Sequence, residues 1–294
     1  TFGLGFGTAC RKLQGQPMRG MICLAAMLSP TLAGATTIQQ FDVPGAATTC
    51  GSTISGDGLV TGYATGGTLA AGKAFLYKTA TGEFRYPDPA TAPGTVFFLG
   101  VTLKRAILVS DITSMPVGVN IYLYDHGTTT PLSGLLGNAS AINDSGAIAG
   151  TTTVFPTGIL GFVVSPAGTE TTYDDGSHFV EPAAIDSSAT RLVGFSGYGA
   201  FYYDGAHYTV LAAPGATLGT LARGVNRHGE VSGTYATGTS SAPIANGFLY
   251  RNGAYTTWNV PGAITTGING INDAGKIVGC FTDSAGSHGF VATP

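Results

Sequence analysis

Gly270-Ile271-Asn272-Asp273-Ala274-Gly275-Lys276-Ile277-Val278-Gly279 decides how this chain folds, because it recurs. Ala141-Ile142-Asn143-Asp144-Ser145-Gly146-Ala147-Ile148-Ala149-Gly150 and Gly224-Val225-Asn226-Arg227-His228-Gly229-Glu230-Val231-Ser232-Gly233 repeat it with few changes. Weaker copies run from Ile54 to Gly62 and, with one extra residue, from Ile185 to Gly194; the most eroded runs from Val101 through Ile107. The leading apolar residues stand at 54, 101, 142, 185, 225 and 271, at intervals of 47, 41, 43, 40 and 46 residues. Self-similarity at that period marks the blades of a propeller, each a sheet of about four strands.

Each copy reads as strand, turn, strand. Asn and Asp bond the local backbone and Gly takes positive φ, so turn chemistry accounts for the motif without a metal. An aromatic strand follows each copy: Phe75-Leu76-Tyr77, Tyr122-Leu123-Tyr124, Phe162-Val163-Val164, Phe201-Tyr202-Tyr203, Phe248-Leu249-Tyr250 and Phe290-Val291. The 294 residues include 46 Gly and 15 Pro, and no stretch sustains a 3.6-residue apolar period, so an all-β class follows.

The two ends explain each other. The last repeat stops after Phe290-Val291 and lacks its final strand, while Thr37-Ile38-Gln39-Gln40-Phe41-Asp42-Val43-Pro44-Gly45-Ala46 is similar to Thr257-Trp258-Asn259-Val260-Pro261-Gly262-Ala263. Pairing the early strand into the last repeat hides two sheet edges. The expectation is a six-bladed β-propeller over 36–294, a single domain and a monomer. Trp258 is expected to serve blade packing.

The Gly-Ile-Asn-Asp-x-Gly core, His288-Gly289-Phe290-Val291 and the Tyr255-Thr256-Thr257 strand with its Val260-Pro261-Gly262-Ala263 resemble the HAF-family extracellular repeats of bacteria. The resemblance implies export and a propeller-like fold, and implies little about chemistry.

Residues 1–35 are read as upstream sequence plus a secretory signal: Met18-Arg19-Gly20-Met21 begins a basic start, Ile22 to Leu32 is apolar, and Ala33-Gly34-Ala35 suits cleavage after Ala35. Losing Arg11, Lys12 and Arg19 with no acid would take the net charge from −3 to about −6. A secreted or periplasmic location follows. No basic stripe marks a nucleic-acid partner, and no hydrophobic tail marks a membrane anchor. Cys50 and Cys280, in the first and last repeats, are either a disulfide across neighbouring blades or two buried thiols.

No nucleophile elbow, zinc-protease helix, phosphate loop or dinucleotide fingerprint occurs. One segment breaks the pattern: Asp174-Asp175-Gly176-Ser177-His178-Phe179-Val180-Glu181 concentrates charge in a chain with 10% charged residues. It leads into an innermost strand and is expected at a mouth of the channel, with Asn138, Arg223 and Asn269 at comparable positions. Glu181, Asn138, Asn269 and Asp175 together suit Ca²⁺, His178 and Glu181 suit general acid–base work, and Arg223 suits substrate binding. The alternative is a solvated polar loop.

Two functions are therefore carried forward. One is a metal-assisted hydrolase of small lactones or esters, by analogy of architecture with gluconolactonase-like and paraoxonase-like propellers, with acyl-homoserine lactones and quorum quenching in scope. The other is a non-catalytic extracellular module binding protein or glycan.

Overall fold

The computed structural model describes residues 36–69, 71–87, 94–114, 117–132 and 137–294. The expected leader, with Cys10 and Cys23, lies outside them. The described residues contain strands and no helix, in line with the all-β expectation.

The strands group into four-stranded antiparallel units. The first comprises β2 (Thr48–Ile54), β3 (Leu59–Thr65), β4 (Lys73–Lys78) and β5 (Glu83–Arg85). The second comprises β6 (Gly94–Val101), β7 (Ile107–Ser114), β8 (Val117–Asp125) and β9 (Thr128–Pro131). The third comprises β10 (Gly137–Ile142), β11 (Ile148–Val154), β12 (Gly158–Val164) and β13 (Glu170–Tyr173). The fourth comprises β14 (Val180–Ile185), β15 (Leu192–Ser196), β16 (Gly199–Tyr203) and β17 (Tyr208–Leu211). The fifth comprises β18 (Thr220–Val225), β19 (Val231–Thr239), β20 (Ala242–Arg251) and β21 (Ala254–Thr257). The sixth comprises β22 (Thr265–Ile271), β23 (Ile277–Thr282) and β24 (Ser287–Thr293), and its fourth strand is β1 (Thr37–Phe41). A single parallel bridge, Thr48 to Ser287, joins the first and sixth units into one eight-stranded sheet.

The repeat motif explains this regularity. Each leading apolar residue ends the first strand of its unit, and the next residue organises the turn. The Asn272 side-chain oxygen accepts from Ala274 N–H at 3.1 Å and Lys276 N–H at 3.0 Å. Asn143 and Asn226 do the same for Ala147 and Glu230. Asp186 serves Thr190 at the same offset and also Arg191, one place further round, which accommodates the extra residue of that repeat.

The motif's terminal Gly has a packing role. Gly62, Gly150, Gly194, Gly233 and Gly279 pair across the ladder with Phe75, Phe162, Phe201, Phe248 and Phe290. These five rings are the largest fully buried side chains. At Gly62 a Cβ would fall 2.2 Å from Phe75 Cζ, so only hydrogen leaves room for the ring. Burying each Phe contributes on the order of 2–3 kcal/mol.

The seam follows the sequence expectation. β1 runs antiparallel to β24 from Thr37–Thr293 to Phe41–Gly289. Phe41 covers Gly289 and stacks on Tyr77 of the first unit, with ring centroids 4.4 Å apart. Trp258 stacks on Phe290 at 5.3 Å, a packing role as expected. Cys50 and Cys280 are bonded, tying β2 to β23.

Candidate functional site

In every unit the first strand slips register once against the second, and the residue left out is Ser52, Leu99, Ser140, Ala183, Arg223 or Asn269. A bulge removes one residue from the ladder and re-aims its side chain. All six line one cavity of about 340 Å³, together with Thr53, Gly62, Tyr63, Phe97 and Phe98. The first strands also touch in order, β2 to β6 to β10 to β14 to β18 to β22, and β22 touches β2. The cavity therefore lies among first strands from every unit.

Toward the turns the space narrows to a chamber of about 80 Å³, lined in part by Asn143, Asp144, Ser187, Asn272 and Asp273. Hydrogen bonds draw this end together. Asn143 Nδ2 donates to Asp186 O, Asn226 Nδ2 to Asn272 O, and Asn272 Nδ2 to Ser55 O, each linking neighbouring units at 2.8–3.1 Å. Two further bonds join units that are not neighbours. Gly56 N–H donates to Asp144 Oδ2 at 2.9 Å, and Ser187 Oγ–H to Asp273 Oδ2 at 2.6 Å. Burial raises the Asp144 pKa, and the Asp273 and Asp57 carboxylates raise it further, against the bond from Gly56 N–H. This end is polar, narrow and acidic.

Arg223 and Asn269 line both the chamber and the wider space, where the two meet. Asn269 is a tether: its Nδ2 donates to Gly51 O at 2.9 Å and lies 3.3 Å from Cys50 Sγ, beside the seam disulfide. Arg223 is exposed to the cavity, and among the described residues no carboxylate forms an ion pair with it. The other described arginines Arg85, Arg105, Arg191, Arg227 and Arg251 each have an acidic partner.

The residues singled out in the sequence separate here. Arg223 and Asn269 come together in the cavity wall. Asn138 and Glu181 lie two residues ahead of the bulge in β10 and β14, exposed, in the tier that also holds Phe97 and Leu221. Asp175 and His178 are not among the cavity-lining residues. Their loop satisfies itself: Asp174 accepts from Gly176 N–H at 2.9 Å and holds His178 Nδ1 at 2.9 Å, while Asp175 accepts from Ser177 N–H. Slight burial pushes the Asp174 carboxyl up, yet the Gly176 and His178 bonds hold it below its ordinary value. The His178 side chain is 60% exposed.

Calcium takes six to eight oxygen ligands. Asp175 accepts from its own loop, and Asp175, Asn138 and Glu181 are not among the cavity-lining residues, which leaves Asn269 as the one member of the set in the cavity wall. The Arg223 cation shares the bulge ring with Asn269. That donor set does not fit a calcium ion, and no step below is routed through one. The bulge ring itself escapes the motif reading, although one signal finds it: count two residues back from each leading apolar residue.

No family model and no curated protein matches the chain. Solved structures similar to it include an arginine-to-alanine mutant of AofleA from Arthrobotrys oligospora, at 9% identity over 86% of this chain and 84% of that one, with a TM-score of 0.48. A luciferin-regenerating enzyme is 9% identical over 88% and 95%, TM-score 0.43. A hypothetical protein from Leishmania major is 11% identical over 86% and 88%, TM-score 0.35. At such scores the likeness decides neither the fold nor the function of this chain.

Proposed function

We propose that the six units form a closed six-bladed β-propeller, and that its central channel binds a small anionic molecule on Arg223. The ring reading draws on the ordered contacts between first strands and on the β1–β24 seam. The binding reading rests on one observation: an Arg223 guanidinium that faces a cavity of about 340 Å³ with no acidic partner among the described residues. A guanidinium presents five donors in a plane that matches a carboxylate, and a partly enclosed site strengthens the pairing. The volume lies at the small end of ligand pockets. HAF-type repeats and export belong to the same proposal, and the Cys50–Cys280 bond suits an oxidising compartment.

Calorimetric titration with benzoate tests the binding reading. Arg223→Met should weaken binding about 10- to 150-fold, the range of a hydrogen bond to a charged group, with the melting temperature unchanged. Glu181→Gln, which removes the acid from the neighbouring strand, should tighten it. Equal affinity in wild type and Arg223→Met, or no binding at millimolar benzoate, would overturn the reading.

A second reading keeps hydrolysis of a small lactone or ester. It draws on the Asp174–His178 pair, which could orient the imidazole to take a proton from water. Turnover of an acyl-homoserine lactone and a short ester, with calcium and with chelator, tests it. No turnover above buffer rejects hydrolysis, and an unchanged rate in His178→Ala rejects this base.

A further inference from the structure

The two ends of the channel differ in a way that says more about the ligand than its charge. Arg223 stands between an acidic chamber and an apolar approach. On the turn side, Asp144 and Asp273 line the narrow chamber, so a carboxylate is repelled there and has little room. On the other side, one stretch of the cavity wall is apolar, with Tyr63, Phe97, Phe98 and Leu99 from the first and second units, and Ser52, Ser140 and Asn269 complete the wall around it. Tyr63 and Phe97 lie against each other with centroids 4.5 Å apart.

That apolar character continues outward. Leu221, two residues ahead of Arg223 on β18, is 42% exposed. Leu218 and Ile264, in the segments leading into β18 and β22, are 42% and 63% exposed. Tyr198 and Phe155, on turns at the same end of their sheets, are 61% and 96% exposed. At the opposite end, the turns between first and second strands expose one large apolar side chain among the described residues, Leu103. These side chains make the end of the sheets that Leu221 faces the richer in exposed apolar groups.

We infer that the channel ligand is an amphipathic monocarboxylate, its head on Arg223 and its apolar body running outward past Phe97 and Leu221. This inference rests on the anion-binding reading above. The acidic chamber supplies the orientation, because a head held at Arg223 leaves the body only the apolar way out. A second carboxylate on the far end of the body would lie among Phe97 and Leu221 in the tier that also holds the exposed Glu181 carboxylate, and one beyond the head would meet Asp144 and Asp273.

Calorimetric titration of the full chain with hexanoate, octanoate and decanoate, below their aggregation concentrations, tests it, with suberate as the dicarboxylate of octanoate length. Affinity should rise up to about fourfold per added methylene, the full value of burying a CH₂. Suberate should bind at least tenfold more weakly than octanoate. Phe97→Ala and Leu221→Ser should flatten the rise from hexanoate to decanoate, with the loss largest for decanoate. Affinity independent of chain length, or suberate equal to octanoate, overturns the inference while leaving an Arg223-dependent anion site standing. A rise that persists undiminished in Arg223→Met overturns it as non-specific adsorption, and Arg223-independent binding of hexanoate removes the anion reading itself.

Discussion

The sixth and second units carry the same architecture on different terms. In the sixth, Asn272 accepts two turn N–H groups and reaches across to Ser55 O, Gly279 stands opposite Phe290, and Cys280 is bonded to Cys50. In the second, Thr102 Oγ1 accepts from Ala106 N–H at 3.1 Å, and Val109 stands opposite Tyr122. A hydroxyl has no second arm to reach the neighbouring unit, and a half-buried Tyr opposite a Val replaces a fully buried Phe opposite a Gly. The same second unit supplies Phe97, Phe98 and Leu99 to the cavity, more of its apolar lining than any other unit. The intact repeats give the cavity single bulge residues such as Arg223 and Asn269.

That contrast can be broken, starting with the largest effect. Phe290→Ala should cost about 3–5 kcal/mol in denaturant unfolding, against about 1–2 kcal/mol for the half-buried Tyr122→Ala. Equal losses would dissolve the distinction between the two cores. Next, replacing Cys50 and Cys280 by Ala should cost about 2–4 kcal/mol, and reductant should shift the melting of wild type but not of the variant. Asn272→Ala should cost about 2 kcal/mol by removing the acceptor of Ala274 and Lys276 N–H and one of the two donors to Ser55 O, whereas Thr102→Val should cost about 1 kcal/mol.

The smallest effect sharpens the seam. His288 Nδ1 lies 2.8 Å from Asp42 Oδ1, just after β1, and 3.0 Å from Gln40 Nε2; Nε2 lies 3.4 Å from Asp283 Oδ1, and the ring lies against Phe281. Partial burial lowers the His288 pKa, but Asp42 and Asp283 outweigh it and the net shift is upward. The pair's stabilisation is therefore complete below the unfolded value of about 6.5 and is lost as pH rises through the higher folded value. Melting temperature should fall slightly between pH 6 and pH 9 for this reason, and Asp42→Asn should flatten that slope. An identical slope in the variant would remove His288 from the seam's pH response.

Much of this was legible along the chain. The Asn residues at 143, 226 and 272 announce their turns because a side-chain amide bonds backbone within four residues, a local interaction needing no partner strand. The seam was legible because two separated segments look alike and one repeat is short. Spacing carries no distance, so the sequence allows Cys50 and Cys280 either a disulfide or two thiols, and β2 lying against β23 brings them into a bond. The 174–181 loop drew attention by its charge, but charge concentration does not reveal that Asp174 and Asp175 bond their own loop, as they do.

The sequence by itself determined the all-β class, the repeat period, the turn chemistry and the strand that completes the last unit, because each rests on residues near one another or on likeness between copies. The tertiary structure alone decided which side chains share a cavity. Six bulges at register-equivalent places turn Ser52, Leu99, Ser140, Ala183, Arg223 and Asn269 toward one space, and Gly56 with Asp144 narrows its far end. Those meetings join residues up to 217 positions apart, from Ser52 to Asn269, and only the packing of first strand against first strand brings them together.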